Sequence, residues 1–345
     1  MPPSPHPSAV GSPGELLRLL RTGRAQSRSE LVAITGTSRS TVSLRVEQLI
    51  GAGLVSERGH AGSTGGRPAR LLGLRSDVGC VVAVDLGVTS VDVALTNLSG
   101  TVLAETSADI QVADGPAAVM KEIDALSQGL LRESGLGRAD IRAVGMGVPG
   151  PVEFATGRLV HPPMMPGWHD YAVPQAFADL ECPVLVDNDV NVMAAGELDT
   201  HPGTGDDFLV VKIGTGIGCG IVLRGEVYRG HTGSAGDIGH VYVPDSRRIR
   251  CSCGNENCLE ALAGGAALAR DAAAAGLDVT TARDLVELAV RADMQALALV
   301  RDAGRRVGEV LAGLVNFFNP GRIVVAGGVA HAGNPLLAGI REAVY

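Results

Sequence analysis

Gly236-Asp237-Ile238-Gly239-His240 and, eleven residues past the histidine, Cys251-Ser252-Cys253-Gly254-Asn255-Glu256-Asn257-Cys258-Leu259-Glu260 decide how this chain reads. Half of its six cysteines fall within these eight positions, 251–258. Three thiolates and one imidazole are the donor set that a tetrahedral structural Zn²⁺ prefers. His240, Cys251, Cys253 and Cys258 are therefore the candidate metal ligands. The N-terminus shows no apolar leader, so the expectation is a cytoplasmic, reducing setting in which such cysteines bind metal rather than pair as disulfides.

Outward from this cluster, the chain from Gly79 onward reads as an α/β body. Val81–Asp85, a turn at Gly87 and Val91–Thr96 form a strand–turn–strand pattern. Phe208–Ile213, Gly214–Gly220 and Ile221–Leu223 repeat the pattern with little sequence identity. Further strands are expected at Ala143–Val148, Pro183–Val186 and Arg322–Ala326, the last running into Gly327-Gly328. Helices are expected at Pro116–Ser134, Asn191–Glu197, Glu260–Ala275, Thr281–Arg291 and Met294–Phe317, and such alternation argues for an α/β fold. The two strand–glycine–strand units suit a nucleotide whose phosphates face backbone N–H groups. A plain hairpin would use the glycines at 214, 216, 218 and 220 equally well. Asp187-Asn188-Asp189-Val190-Asn191 follows an apolar strand, so its side chains emerge at the strand's carboxyl end. A carboxylate there suits general-base work on a hydroxyl, and the same run suits an Asx-rich cap on the next helix.

The Gly-Asp-Ile-Gly-His run with Cys-x-Cys-Gly…Cys-Leu-Glu resembles the signature of the ROK family, the repressors and kinases of sugars. The resemblance extends from about Leu16 to the last residue. It implies a two-lobed body of actin-like, sugar-kinase (ribonuclease H-like) fold over residues 79–345, with a zinc-bearing segment at 240–258. Asp85-Leu86-Gly87-Val88-Thr89 looks like the family's Asp-x-Gly-x-Thr phosphate loop. Asp85, Gly87 and Thr89, with Thr215, Gly216 and Gly328, are then the nucleotide-binding candidates if ATP and Mg²⁺ are bound at all. Asp189 matches the family's catalytic base, Asn188 a sugar-hydroxyl contact, and Gly147–Pro151 a loop beside the sugar, which brings in Gly150. Asp237, His240 and Glu260 complete the implied sugar-binding set. Four positions depart from the family pattern. Asp237 stands where the kinases usually show glutamate, Val88 replaces a common glycine, Ser90 a larger polar residue, and Asn257 the glycine before the third cysteine. Asparagine tolerates positive φ there. The chain ends at Tyr345 within an expected helix, earlier than the family's body normally does; this and Val88 bear on catalysis more than on recognition.

The front end has a different character. Residues 1–75 hold ten arginines and four glutamates, a local +6 that leaves −14 for the remainder of a chain with net charge −8. Such asymmetry suits a polyanion-binding segment on an acidic body. The Pro- and Ser-rich stretch 1–14 reads as a disordered tail. Leu16, Leu17, Leu19 and Leu20 mark a short helix, and Ser27-Arg28-Ser29-Glu30 is a capping-box pattern opening a second through about Thr35. Gly36 breaks it, and Ser38 caps a third helix with Val42, Val46, Leu49 and Ile50 on one face. That third helix presents Arg39, Ser40, Thr41, Ser43 and Arg45, the arrangement of a helix-turn-helix over residues 15–75. Leu54–Arg58 and Leu71–Leu74 would be strands of a wing around Gly59–Pro68, where Gly65-Gly66-Arg67-Pro68 lets Arg67 enter a minor groove. The segment looks like the winged helix-turn-helix of the family's regulators.

No apolar stretch is long enough to span a bilayer. The chain is therefore expected to be a cytoplasmic, sugar-responsive transcriptional regulator whose partners are operator DNA and a hexose or phosphosugar. Helix-turn-helix proteins commonly bind paired half-sites, so a homodimer or tetramer is expected. Retention of Asp189 keeps an ATP-dependent hexose kinase with a DNA-binding extension as the alternative. A module tethered through a protein partner is a third reading.

Overall fold

In the computed structural model, which describes residues 10–60, 70–201 and 207–344, the leucine-rich run forms α1 (Pro13–Arg21). Ser12 caps it, accepting the Glu15 amide, and Leu16, Leu19 and Leu20 are buried. The folded chain thus begins ahead of the expected boundary at residue 14, since Gly11 is buried and Ser12 is already a cap. In α2 (Arg28–Thr35) the Ser27 hydroxyl accepts the Glu30 amide at 3.3 Å. The Glu30 carboxylate turns back to the Gln26 amide at 2.6 Å, so the expected capping box closes one residue early. Gly36 ends α2 at φ +64, a left-handed value that glycine adopts without steric cost. Ser38 then caps α3 (Arg39–Gly51). Strands β1 (Val55–His60) and β2 (Arg70–Leu74) pair antiparallel, and the Leu72 amide donates to the Gln26 carbonyl at 2.8 Å. These elements share one core of Leu16, Leu19, Leu20, Ala25, Leu31, Val42, Val46, Leu49, Val55 and Leu72. Gly65–Pro68, including Arg67, lies outside the described residues.

The chain separates into two units. One comprises residues 1–146, 154–157 and 172–186, and the other residues 147–153, 158–171 and 187–345. The first contains β3 (Cys80–Leu86), β4 (Ser90–Asn97), β5 (Val102–Asp109), α4 (Pro116–Glu133) and most of β6 (Ile141–Val148). A two-stranded ribbon, β7 (Val152–Glu153) with β8 (Arg158–Leu159), precedes β9 (Val184–Asn188), which leads directly into α5 (Asp189–Thr200). The five-stranded sheet runs β5-β4-β3-β6-β9.

The second unit continues with β10 (Phe208–Ile213), β11 (Ile217–Leu223), β12 (Glu226–Tyr228), α6 (Leu259–Ala263), α7 (Gly265–Ala274), α8 (Ala282–Val290), α9 (Met294–Phe318), β13 (Arg322–Ala326) and α10 (Asn334–Val344). Its sheet runs β12-β11-β10-β13, the same order as β5-β4-β3-β6. The internal repeat expected from pattern is therefore present as topology. Helices α6 to α10 and the β10–β11 hairpin share a core that includes Leu209, Val211, Ile213, Leu262, Val300 and Val307.

Two expectations fail locally for the same physical reason, close backbone approach at glycine. The anticipated loop 214–220 is shorter, because Gly218 and Gly220 lie inside β11. A Cβ at Gly218 would sit 3.2 Å from Val190 Cγ1, and one at Gly220 2.6 Å from the Val190 carbonyl, so α5 packs tightly where β11 has no side chains. The single helix expected over Glu260–Ala275 is broken at Gly264, where a Cβ would meet the Glu260 and Thr215 carbonyls at 2.7 and 2.9 Å. Strand β5, polar and half-exposed, carried no apolar alternation to announce it.

Candidate ligand and metal site

The metal-ligand candidates converge. His240 lies in a short 3₁₀ turn, Ile238–His240, and the chain then leaves and returns through antiparallel bridges Tyr242–Cys258 and Arg250–Glu256. Amides along the excursion are satisfied locally: Val243 donates to the Asn257 carbonyl, Cys251 to Asn255 and Gly254 to Cys251. The four donor atoms of His240, Cys251, Cys253 and Cys258 lie within 4.8 Å of one another. Metal–sulfur bonds of about 2.3 Å and metal–nitrogen bonds of about 2.05 Å put tetrahedral S···S and S···N edges at about 3.8 and 3.6 Å. Cys253 Sγ and Cys258 Sγ are 3.6 Å apart, and Cys251 Sγ is 3.5 Å from His240 Nδ1. The donors and their spacing fit a four-coordinate ion with every position filled from the protein.

The three remaining cysteines lie outside this cluster, Cys182 half-buried. Cys80 and Cys219 are buried within strands, and burial pushes the Cys219 thiol up to about 12. Those thiols are apolar packing groups rather than ligands.

His240 faces two ways. Its Nδ1 points to the thiols, while Nε2 is 4.0 Å from Asp237 Oδ1. Glu260, at the start of α6, accepts the Ile217 amide with Oε2 at 3.3 Å. Burial raises the carboxyls of both Asp237 and Glu260, with His240 opposing the shift in each case. A Cβ on Gly216 would collide with Glu260 Oε2 and touch Met164 Sδ at 3.4 Å. Gly216 therefore faces the Glu260 carboxylate, beside a thioether.

Asn188 and Asp189 form a second cluster, at the junction of β9 and α5. Asn188 caps α5, accepting the Val190 amide at 3.1 Å, and donates to the Gly150 carbonyl at 3.2 Å. Of the two roles weighed for this run, the helix cap is the one that the hydrogen bonds display. Asp187 is 5% exposed and serves structure: Oδ1 accepts from the Asn188 amide and Asn191 Nδ2, and Oδ2 pairs with Arg229 Nε at 2.7 Å. Asp189 accepts the Val190 amide on Oδ1 at 2.8 Å and Lys212 Nζ on Oδ2 at 2.6 Å. Lys212 and Arg229 were not anticipated as site residues. Lys212 did leave a trace, since it is one of two lysines in the chain and interrupts the apolar run 208–213.

Thr215, Gly216 and Gly328 lie at neighbouring strand ends. β10 and β13 run parallel with Lys212 opposite Ala326, and a Cβ at Gly327 would sit 2.5 Å from the Ile213 carbonyl. The Gly265 amide at the start of α7 donates to the Gly214 carbonyl at 2.7 Å. Asp85, Gly87 and Thr89 belong to the first unit, at the tight β3–β4 hairpin. There the Gly87 amide donates to Ser90, and Asp85 and Thr89 are exposed.

In the N-terminal module Arg39 and Ser40 are exposed at the start of α3, whereas Thr41 and Ser43 are half-buried. Ser40 and Thr41 hydroxyls bond the Ser38 cap at 2.9 and 2.8 Å. Arg45 is half-buried rather than exposed: Nη1 is buried without a hydrogen-bond partner among the described residues, 2.9 Å from where a Cβ on Gly11 would lie. Arg28 pairs with Glu47 and Glu57, and Arg70 also pairs with Glu57, tying α2, α3 and the hairpin together.

Comparison with known proteins gives consistent likenesses. The ROK family profile matches residues 81–345. A putative xylose repressor of Caldicellulosiruptor sp. (strain Rt8B.4) is 31% identical over 346 residues, spanning 96% of this chain and 86% of that protein. A glucokinase of Halalkalibacterium halodurans is 34% identical over 278 residues, spanning 76% of this chain and 84% of the enzyme. Among solved structures, a ROK family transcriptional regulator described as a homolog of E. coli MLC superposes with a TM-score of 0.80 at 26% identity, covering 96% of this chain and 86% of its own.

Proposed function

Given that this chain belongs to the ROK family, we propose that it is a DNA-binding transcriptional regulator that responds to a sugar. One observation carries the reading. The likeness to the repressor and to the regulator structure spans 96% of the chain, including the helix–helix–helix–hairpin module, whereas the glucokinase likeness spans 76%. In this reading residues 15–75 are a winged helix-turn-helix that contacts operator DNA through Arg39, Ser40, Thr41, Ser43, Arg45 and Arg67. Backbone-directed arginines supply affinity and the start of α3 supplies base readout. Residues 79–345 are the sensor, working as a homodimer or tetramer.

The effector is a hexose or phosphosugar held by Asn188, Asp189, Asp237, His240 and Glu260 beside Gly150. Carboxylates and amides each hold adjacent hydroxyls, and a deoxy analogue would leave them unpaired. Zn²⁺ is the metal for His240, Cys251, Cys253 and Cys258, and with all four positions filled its role is structural. It would hold His240 so that Nε2 stays turned toward Asp237 and the sugar. Asp85, Gly87, Thr89, Thr215, Gly216 and Gly328 serve ATP if kinase activity is retained, and the presence of Asp189 is what favours that second reading. Selecting bound genomic fragments with and without glucose, other hexoses and the pentose xylose tests the proposal. Enriched fragments whose recovery changes with one sugar support it, and no enrichment under any condition overturns it. ADP release with ATP, Mg²⁺ and the same sugars reads the kinase alternative.

A further inference from the structure

Lys212 is placed where it decides what Asp189 can do. Its Nζ lies 2.6 Å from Asp189 Oδ2, and the two side chains are only 21% and 13% exposed. The lysine rises from β10 between the fully buried Val211 and Ile213. Its Cε passes 3.8 Å from where a Cβ on Gly214 would stand, so the stem runs along the glycine turn to reach the carboxylate. The other oxygen of Asp189 is held by the Val190 amide. Arg229, the nearby second cation, is engaged by Asp187.

A base in phosphoryl transfer must take a proton. The sugar hydroxyl oxygen bonds the γ-phosphorus of a nucleoside triphosphate, the bridging P–O bond breaks, the diphosphate leaves, and the hydroxyl proton passes to the carboxylate. Both oxygens of Asp189 already accept from a donor, Oδ2 from the ammonium and Oδ1 from the Val190 amide, so a proton passed to the carboxylate competes with a bond already in place. Accepting a hydrogen bond from a hydroxyl makes no such demand, since an ionised carboxylate has several lone-pair sites. We infer that Lys212 is a positioning residue that suppresses the use of Asp189 as a base while leaving it free to accept from the sugar, so that the body senses sugar without phosphorylating it. This rests on the sugar-sensor reading above.

The chain and its Lys212→Met, Lys212→Gln and Lys212→Arg variants test it. Sugar affinity is measured by calorimetry and sugar-dependent ADP release in a coupled assay with ATP, Mg²⁺ and a panel of glucose, xylose, mannose and N-acetylglucosamine. Thermal melts identify any variant that fails to fold. The expected result is a kcat at least tenfold above wild type in Lys212→Met or Lys212→Gln, with sugar Kd changed less than threefold. Lys212→Arg, which restores a cation beside Asp189, restores the suppression. A merely structural lysine would move stability and Kd instead of kcat. Sugar binding with no gain in either neutral variant, or a loss of turnover in them, overturns the inference alone. No binding by any sugar overturns the sensor reading and the inference with it.

Discussion

Asn257 directly precedes the third cysteine of the cluster, and its replacement tests how this segment holds its shape. The residue sits at φ +56 and is 3% exposed. Oδ1 accepts the Ile249 amide at 2.8 Å and Nδ2 donates to the Asp245 carbonyl at 2.6 Å. The backbone adds two more bonds, to the Ile249 carbonyl and from the Val243 amide. Asn257→Gly keeps the left-handed backbone and removes two side-chain bonds, about 2 kcal/mol in total at about 0.5–1.5 kcal/mol each. Asn257→Ala removes the same bonds and adds about 1–2 kcal/mol of left-handed strain. In a domain of this size a 2 kcal/mol loss corresponds to a Tm lower by about 4–8 °C, with alanine lower again. Asp245 anchors the same segment to α9 through Arg306 at 2.8 Å, so loosening Asn257 should also free the ligands. Zinc transfer to a chromogenic chelator should then be about tenfold easier in both variants. Thermal melts and chelator competition on purified holoprotein give the readout. Alanine matching glycine in Tm, or both matching wild type in Tm and zinc retention, would refute the reasoning.

Cys253→Ser should lower zinc content, Tm and sugar affinity together, read by metal analysis, melting and calorimetry; zinc-free wild-type protein freshly purified would remove the metal assignment. Arg67→Ala should weaken operator binding by about 1–3 kcal/mol in a gel-shift titration at fixed salt, and an unchanged affinity would remove Arg67 from the minor groove. Asp284 closes the capping box of α8, and the Thr280 and Thr281 amides, followed by their hydroxyls, hold its carboxyl down to about 2 from 3.8. A depressed folded-state value stabilises above the unfolded value and fades as pH falls through the folded one. Asp284→Asn should therefore melt lower than wild type at pH 7, with the gap closing between about pH 4 and pH 2; a gap independent of pH would contradict the assignment.

The candidate metal ligands were legible because cysteine and histidine announce themselves by type, and three of the four lie within one short excursion of chain. The caps at Ser12, Ser27 and Ser38 illustrate a second kind of legibility: a hydroxyl reaching an amide three residues on is local geometry. What stayed hidden depends on distance along the chain. Asp189 and Lys212 are 23 residues apart and meet only because α5 packs on the β10–β11 hairpin. The break at Gly264 is set by the Thr215 carbonyl, and Arg45 Nη1 lies close against Gly11. Helix propensity and charge count see neither. That Gly216 faces Glu260 was hidden too, because glycine spacing carries no direction.

The central claim is that one sugar site and one DNA site are coupled, and coupling between binding sites is reciprocal. The direct measurement is fluorescence anisotropy of a labelled genomic fragment selected by the chain, titrated with and without the responsive sugar, alongside calorimetry of that sugar with and without saturating fragment. The account predicts that sugar changes DNA affinity by about 5–150-fold and that DNA changes sugar affinity by the same factor. Sugar and DNA binding each intact, with neither altering the other, would contradict it.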